Sequence, residues 1–216
     1  MLLNEIEVEV KRQGGRQLEA RLLEGMDESL RFAISRGFAE VHRMRGMSLY
    51  ARDFSFEKWR ELGKKLAAEG FIVTTLNREA KAGNNPFDKL MELQKRAVEG
   101  WYQMGLTGEP DTSIEQLRTH FSHITLPDRV SIMKHKEQYV GYTSAERTNL
   151  LGTAVHPDYR GLELATYLKA CDLKQLIDAD VEYFESSSAN PAMLRVNEKL
   201  GYKLNGLTEI RLAKHL

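Results

Sequence analysis

Glu5–Val10 reads E-I-E-V-E-V, a strict period-2 alternation that predicts a half-buried strand. Gly14-Gly15 marks a turn after it. Asp27 stands at a predicted helix start, with the helix running to about Arg36 and stopped by Gly37. Phe38–Tyr50 reads as a strand, and Ser55–Glu69 as a helix ended by Gly70. Phe71–Leu76 is short, apolar and rich in β-branched residues, the composition of a strand. Beyond the Asn84-Asn85-Pro86 loop, Phe87–Trp101 has amphipathic helical spacing. Thr112 and Glu115 form a capping box for a further helix.

The second half alternates element types. Val130–Met133 and Tyr139–Ala145 predict two strands joined by a solvated turn, Lys134–Gln138. Leu150–Val155 predicts a strand ended by His156-Pro157. Leu162–Ile177 predicts a helix with Leu164, Leu168 and Cys171 on one face. Val181–Ser186 predicts a strand. Pro191–Leu200 predicts a helix with Asn190 at its N-cap and Gly201 after its end. A last strand lies near Thr208–Leu212. This alternation is that of an α/β fold. A faint repeat runs through both halves: Leu30-Arg31 followed by Gly37-Phe38 echoes Leu194-Arg195 followed by Gly201-Tyr202 at identical spacing.

Composition narrows the function classes. Apolar residues make up 42% of the 216, enough for a proper core. Lys+Arg and Asp+Glu both total 31, a balance that argues against general nucleic-acid or anionic-membrane binding. No apolar run approaches the ~20 residues of a membrane-spanning helix. The single cysteine, Cys171, permits no internal disulfide. The expectation is a soluble, cytoplasmic protein without nucleic-acid or membrane partners.

The segment from Thr153 to Leu168 (TAVHPDYRGLELATYL) reads as strand, tight turn, helix. Turn N–H groups and the positive end of the following helix meet at one place, an arrangement suited to a pyrophosphate. Arg160 adds charge, and Gly161 permits close backbone approach. Val155-x-Pro157-x-Tyr159-Arg160-Gly161, with Ala165, resembles the V-x-P-x-Y-R-G-x-G-x-A signature of the GNAT superfamily of N-acetyltransferases. Asn190 to Gly201-Tyr202 resembles that superfamily's later helix, N-x-x-A-x-x-x-Y-x-x-x-G-F.

The resemblance covers about Phe71–Leu212. It implies a GNAT-like acyl-CoA N-acyltransferase fold, a mixed sheet whose fourth and fifth strands splay apart. It implies acetyl-CoA as cosubstrate, no metal, and transfer to a primary amine of a small molecule or peptide. The pantetheine arm would lie against Ala154 and Val155, and the pyrophosphate against Arg160, Gly161, Leu162, Glu163, Leu164 and Ala165. Asn190 and Asn197 would complete the cofactor site. The expected division is 71–216 as the transferase domain and 1–70 as the remnant of a second, tandem GNAT domain without a CoA site. A homodimer is a further expectation.

Two positions depart from the pattern. Glu163 replaces its second glycine and sets a carboxylate near the pyrophosphate. It also fits an ordinary first helical turn. Asn197 replaces a tyrosine that serves many members as general acid to the thiolate. For a general base the candidates are Glu146 and, less favourably placed, His156. Ordinary surface roles outweigh catalysis for both, and Tyr142 and Cys171 read as packing residues. His120 and His123 are three apart without further ligands, which argues against a metal site.

Overall fold

The computed structural model describes residues 2–102, 129–146 and 149–216. In chain order the described elements are α1 (Leu2–Arg12), β1 (Gln17–Leu23), α2 (Asp27–Ser35), β2 (Ala39–Tyr50), α3 (Glu57–Ala68), β3 (Phe71–Thr75), α4 (Leu76–Lys81) and α5 (Pro86–Tyr102). Then follow β4 (Val130–His135), β5 (Gln138–Glu146), β6 (Asn149–Val155), α6 (Leu164–Ile177), β7 (Tyr183–Ser188), α7 (Pro191–Leu200) and β8 (Lys203–His215). The capping box at Thr112, together with His120 and His123, lies outside the described residues.

All eight strands form one sheet in the order β1-β8-β2-β7-β6-β5-β4-β3. Neighbours pair antiparallel except β6 and β7, which run parallel. The fold is α/β with a mixed sheet, as the alternation of elements predicts. The boundary at 70/71 does not separate two sheets, because β2 is inserted between β7 and β8. Met47 and Leu49 of β2 and Trp59 of α3 pack into one buried cluster with Phe184, Leu173 and Leu200.

Several sequence expectations need correction. Glu5–Val10 belongs to a helix, since the inward positions Leu3, Glu7 and Val10 are spaced for α1, while Val8 is exposed. Gln17–Leu23 forms a strand where none is expected, with Leu18, Ala20 and Leu22 alternating inward. The turn after β4 is less solvated than expected. Lys134 pairs with Glu79, and His135 stacks on Phe71 with ring centroids 4.6 Å apart.

The faint repeat becomes a structural one. If Leu30 is matched to Leu194 and Gly37 to Gly201, the same offset lays α1 on α6, β1 on β7, α2 on α7 and β2 on β8. Both α2 and α7 are followed by a left-handed glycine, Gly37 and Gly201. The pairings follow the same rule. Leu23 of β1 faces Glu209 of β8, and its counterpart Ser187 of β7 faces Gly46 of β2. Gly46 is one residue from Arg45, the position equivalent to Glu209. The two α-β-α-β units therefore interlock about a pseudo-twofold axis between β2 and β8, each placing its last strand inside the other.

Candidate active site

β6 and β7 share a single facing pair, Asn149 and Glu185. No further ladder pair joins them, and α6, which connects the two strands, begins at this gap. The gap opens into a cleft of about 380 Å³. Thr153, Ala154 and Val155 of β6 line one wall, while Ala192, Met193 and Val196 of α7 line the other.

The turn from Pro157 to Glu163 closes one end. Tyr159 fixes it to the core: its hydroxyl lies 3.1 Å from His135 Nδ1, and its ring meets Phe71 edge-on. Gly161 has φ +84° and Glu163 φ +61°, so two residues adopt the left-handed conformation within one turn. A Cβ at Gly161 would meet nothing within 4 Å, so the glycine serves backbone conformation and not crowding. Helix α6 begins immediately after Glu163, and the Tyr167 N–H donates to the Glu163 carbonyl. The preceding helical N–H groups, those of Leu164, Ala165 and Thr166, have no partner within the helix.

The turn residues are brought together largely as the motif implies. Ala154, Val155, Arg160, Gly161, Glu163, Leu164, Ala165 and Asn190 all line the cleft. Leu162 is exposed and does not. Arg160 donates a 3.1 Å hydrogen bond to the Ala97 carbonyl of α5, which ties the turn to that helix. Asn190 caps α7, its side chain accepting from the Ala192 N–H at 2.9 Å. Glu163 is not in the first helical turn but at the N-cap, in a conformation that favours glycine. Its carboxylate pairs with Lys199 of α7 across the rim of the cleft.

Of the two residues expected to be catalytic, Asn197 lies behind the cleft wall and Glu146 at a strand end. Asn197 is fully buried and absent from the cleft wall. It accepts a 2.7 Å hydrogen bond from Lys169 Nζ and donates one of 3.0 Å to Ser186 Oγ. Glu146 ends β5 opposite Asn149, at the closed end of the β6–β7 gap, three residues beyond Thr143, which faces the cleft-lining Thr153. His156 borders neighbouring hollows but not the cleft. Tyr142 is a core residue whose hydroxyl donates to Gln94, and burial pushes it up to about 12. Burial likewise raises the Cys171 thiol to about 11, so this side chain is no thiolate at neutral pH.

Sequence reasoning passed over two charged residues in the interior of α6. Lys169 and Asp172 are 1% and 2% exposed. Burial pulls the Lys169 ammonium down to about 8, against the attraction of Asp172. Burial pushes the Asp172 carboxyl up to about 7, against a hydrogen bond from Ser131 and the Lys169 charge. Among the described residues no His, Cys, Asp and Glu cluster could hold a metal ion, and no helix is long and apolar enough to cross a membrane.

Comparison with solved structures identifies this architecture. A GCN5-related N-acetyltransferase from Sphaerobacter thermophilus superposes with TM-score 0.66 at 13% identity, covering 92% of this chain and 59% of the other. A tandem GNAT protein from the clavulanic acid biosynthesis pathway, solved without AcCoA, gives TM-score 0.60 at 17% identity, with coverage of 95% and 66%. A GCN5-related N-acetyltransferase from Kribbella flavida gives 0.59 at 14%, with 98% and 73%. The fold is that of the GCN5-related N-acetyltransferases. This chain spans 59% and 66% of the length of the first two of these proteins. No family model and no curated protein matches the sequence. Within the GNAT fold, the β6–β7 gap is the splay that the sequence resemblance implies.

Proposed function

We propose that this chain is an acetyl-CoA-dependent N-acetyltransferase acting on a primary amine of a small molecule or peptide. One observation carries the reading: the β6–β7 gap ends at a doubly left-handed turn and the N-terminus of a 14-residue helix. The residues present fit the cosubstrate. Unpaired N–H groups and the helix dipole suit a pyrophosphate. Beyond the shared pair at Asn149, the β6 edge facing β7 makes no ladder pairs, which leaves backbone groups for a pantetheine arm. Bound acetyl-CoA would supply the activated acetyl group. The chain's own part is to hold the phosphates at the turn and to seat the thioester between β6 and α7.

Glu163 is the only carboxylate among the described residues of the cleft wall, and it contains no imidazole. That favours a second reading, a CoA-binding protein with little turnover serving as an interaction or regulatory module. Calorimetry and a thiol-release assay over a panel of amines separate the two. At acetyl-CoA ~100-fold above its Kd, the folded state should gain ~2.7 kcal/mol. No thermal shift at millimolar acetyl-CoA refutes both readings, and binding without thiol release leaves the second.

A further inference from the structure

Lys169, Asn197 and Ser186 form a hydrogen-bonded chain from α6 through α7 to β7, sealed beneath the cleft. Lys169 Nζ also lies 3.8 Å from the sulfur of Met193, which is part of the cleft wall. The ammonium is therefore one side chain away from the cleft. Asn197 holds it there. A side chain longer than Asn at 197, extending along the same direction, would meet Lys169 Nζ.

The molecule contains its own control. In the N-terminal unit the positions equivalent to Lys169, Asn197 and Ser186 are Glu5, Ala33 and Leu22. Ala33 and Leu22 belong to an apolar cluster and Glu5 is exposed. The same α-β-α-β packing is thus built without a buried polar chain. A buried ammonium is costly to keep in a core and is not needed for this packing. The polar chain occurs in the unit that carries the cleft.

Resting on the acetyl-transfer reading, we propose that Lys169 is the electrostatic partner of the departing CoA thiolate, held in place by Asn197. In that reaction the amine nitrogen bonds to the acetyl carbon and the C–S bond breaks. The bonding electron pair stays on sulfur, and the amine proton passes to water. The positive charge beneath Met193 stabilises the sulfur anion through a dry wall, where screening is weak. The groups facing Lys169 are Asp172 on its own helix and Asn197 and Met193 on α7, and Ser186 of β7 faces Asn197. Ser131 and Arg129 lie further off, around Asp172.

The test needs no acceptor. Free CoA is bound to the full chain at pH 7, below the value of about 8 at which Lys169 loses its proton, and its thiolate fraction is read by ultraviolet absorbance. Bound CoA should carry about ten times the thiolate of free CoA at that pH. Lys169→Met and Lys169→Gln should return it to the free value while binding CoA within about threefold of wild type at pH 6. Gln keeps a donor for Asn197, so it serves if Met fails to fold. Identical thiolate fractions in wild type and variants overturn the proposal. Failure of the wild-type chain to bind CoA overturns the acetyl-transfer reading itself, and this proposal with it.

Discussion

The N-terminal α1-β1-α2-β2 unit and the C-terminal α6-β7-α7-β8 unit follow one plan with different contents. Both follow the second helix with a left-handed glycine, and each inserts its last strand between the two strands of the other. They differ where one has a cleft. Asn190-Pro191, which caps and starts α7, corresponds to Met26-Asp27, and Met26 makes no capping hydrogen bond. Val196, in the cleft wall, corresponds to the exposed Phe32. The buried polar chain of one unit is apolar packing in the other. Shared features therefore report what the fold requires, and the differences report what the cleft requires.

The most severe way to break the comparison is to remove one unit. A fragment beginning at Phe71 loses β2 from between β7 and β8, and with it Met47, Leu49 and Trp59 from the C-terminal core. It should show no cooperative unfolding transition and no acetyl-CoA binding. A folded, CoA-binding fragment would mean that the two units do not depend on each other.

A smaller perturbation installs one unit's residue in the other. Asn197→Ala copies Ala33 and leaves the Lys169 ammonium without its acceptor. Chemical denaturation should show a loss of ~2–3 kcal/mol. Copying the apolar character of the set while also neutralising Asp172, Lys169→Met and Asp172→Asn with Asn197→Ala and Ser186→Leu, should recover most of that loss, because replacing a whole buried charged group by uncharged residues is often neutral or stabilising. If this fourfold variant is less stable than Asn197→Ala alone, the polar chain is a stability element.

The smallest expected effect concerns Glu163. Relief of its left-handed backbone in Glu163→Gly is worth ~1–2 kcal/mol, offset by glycine's extra unfolded freedom of ~0.5–1 kcal/mol. The net gain should stay below ~1 kcal/mol, and helix propensity does not enter because the residue precedes the helix. Loss of the carboxylate frees Lys199, so acetyl-CoA should bind about threefold tighter, the scale of an exposed ion pair. Glu163→Gln should share the affinity gain but not the stability gain. If Gln binds no tighter, the carboxylate does not oppose the cofactor.

Local signals carried much of the fold and of the turn. The bounds of α7 follow from Asn190, Pro191 and Gly201, each of which acts within a residue or two of its own position. The turn from Pro157 to Glu163 is legible for the same reason, and the glycine expected at 163 marks a backbone that is indeed left-handed. What failed depends on distant partners. α1 reads as a strand because Glu7 faces inward, and it does so to meet Lys214 at the far end of the chain. Lys169 looks like a surface residue of α6 until Asn197 and Ser186 are brought beside it. The tertiary burial of a polar side chain leaves no periodic mark.

The insertion of β2 between β7 and β8 also sets an order of events during synthesis. Ala39 pairs with Ala213, and Tyr50 with Tyr183, so β2 leaves the ribosome well over a hundred residues before either neighbour exists. At ~5–20 residues per second, that interval is on the order of ten seconds. Through that time both edges of a 12-residue strand stay open to any other nascent chain. Closure of the sheet is thus a late, long-range step.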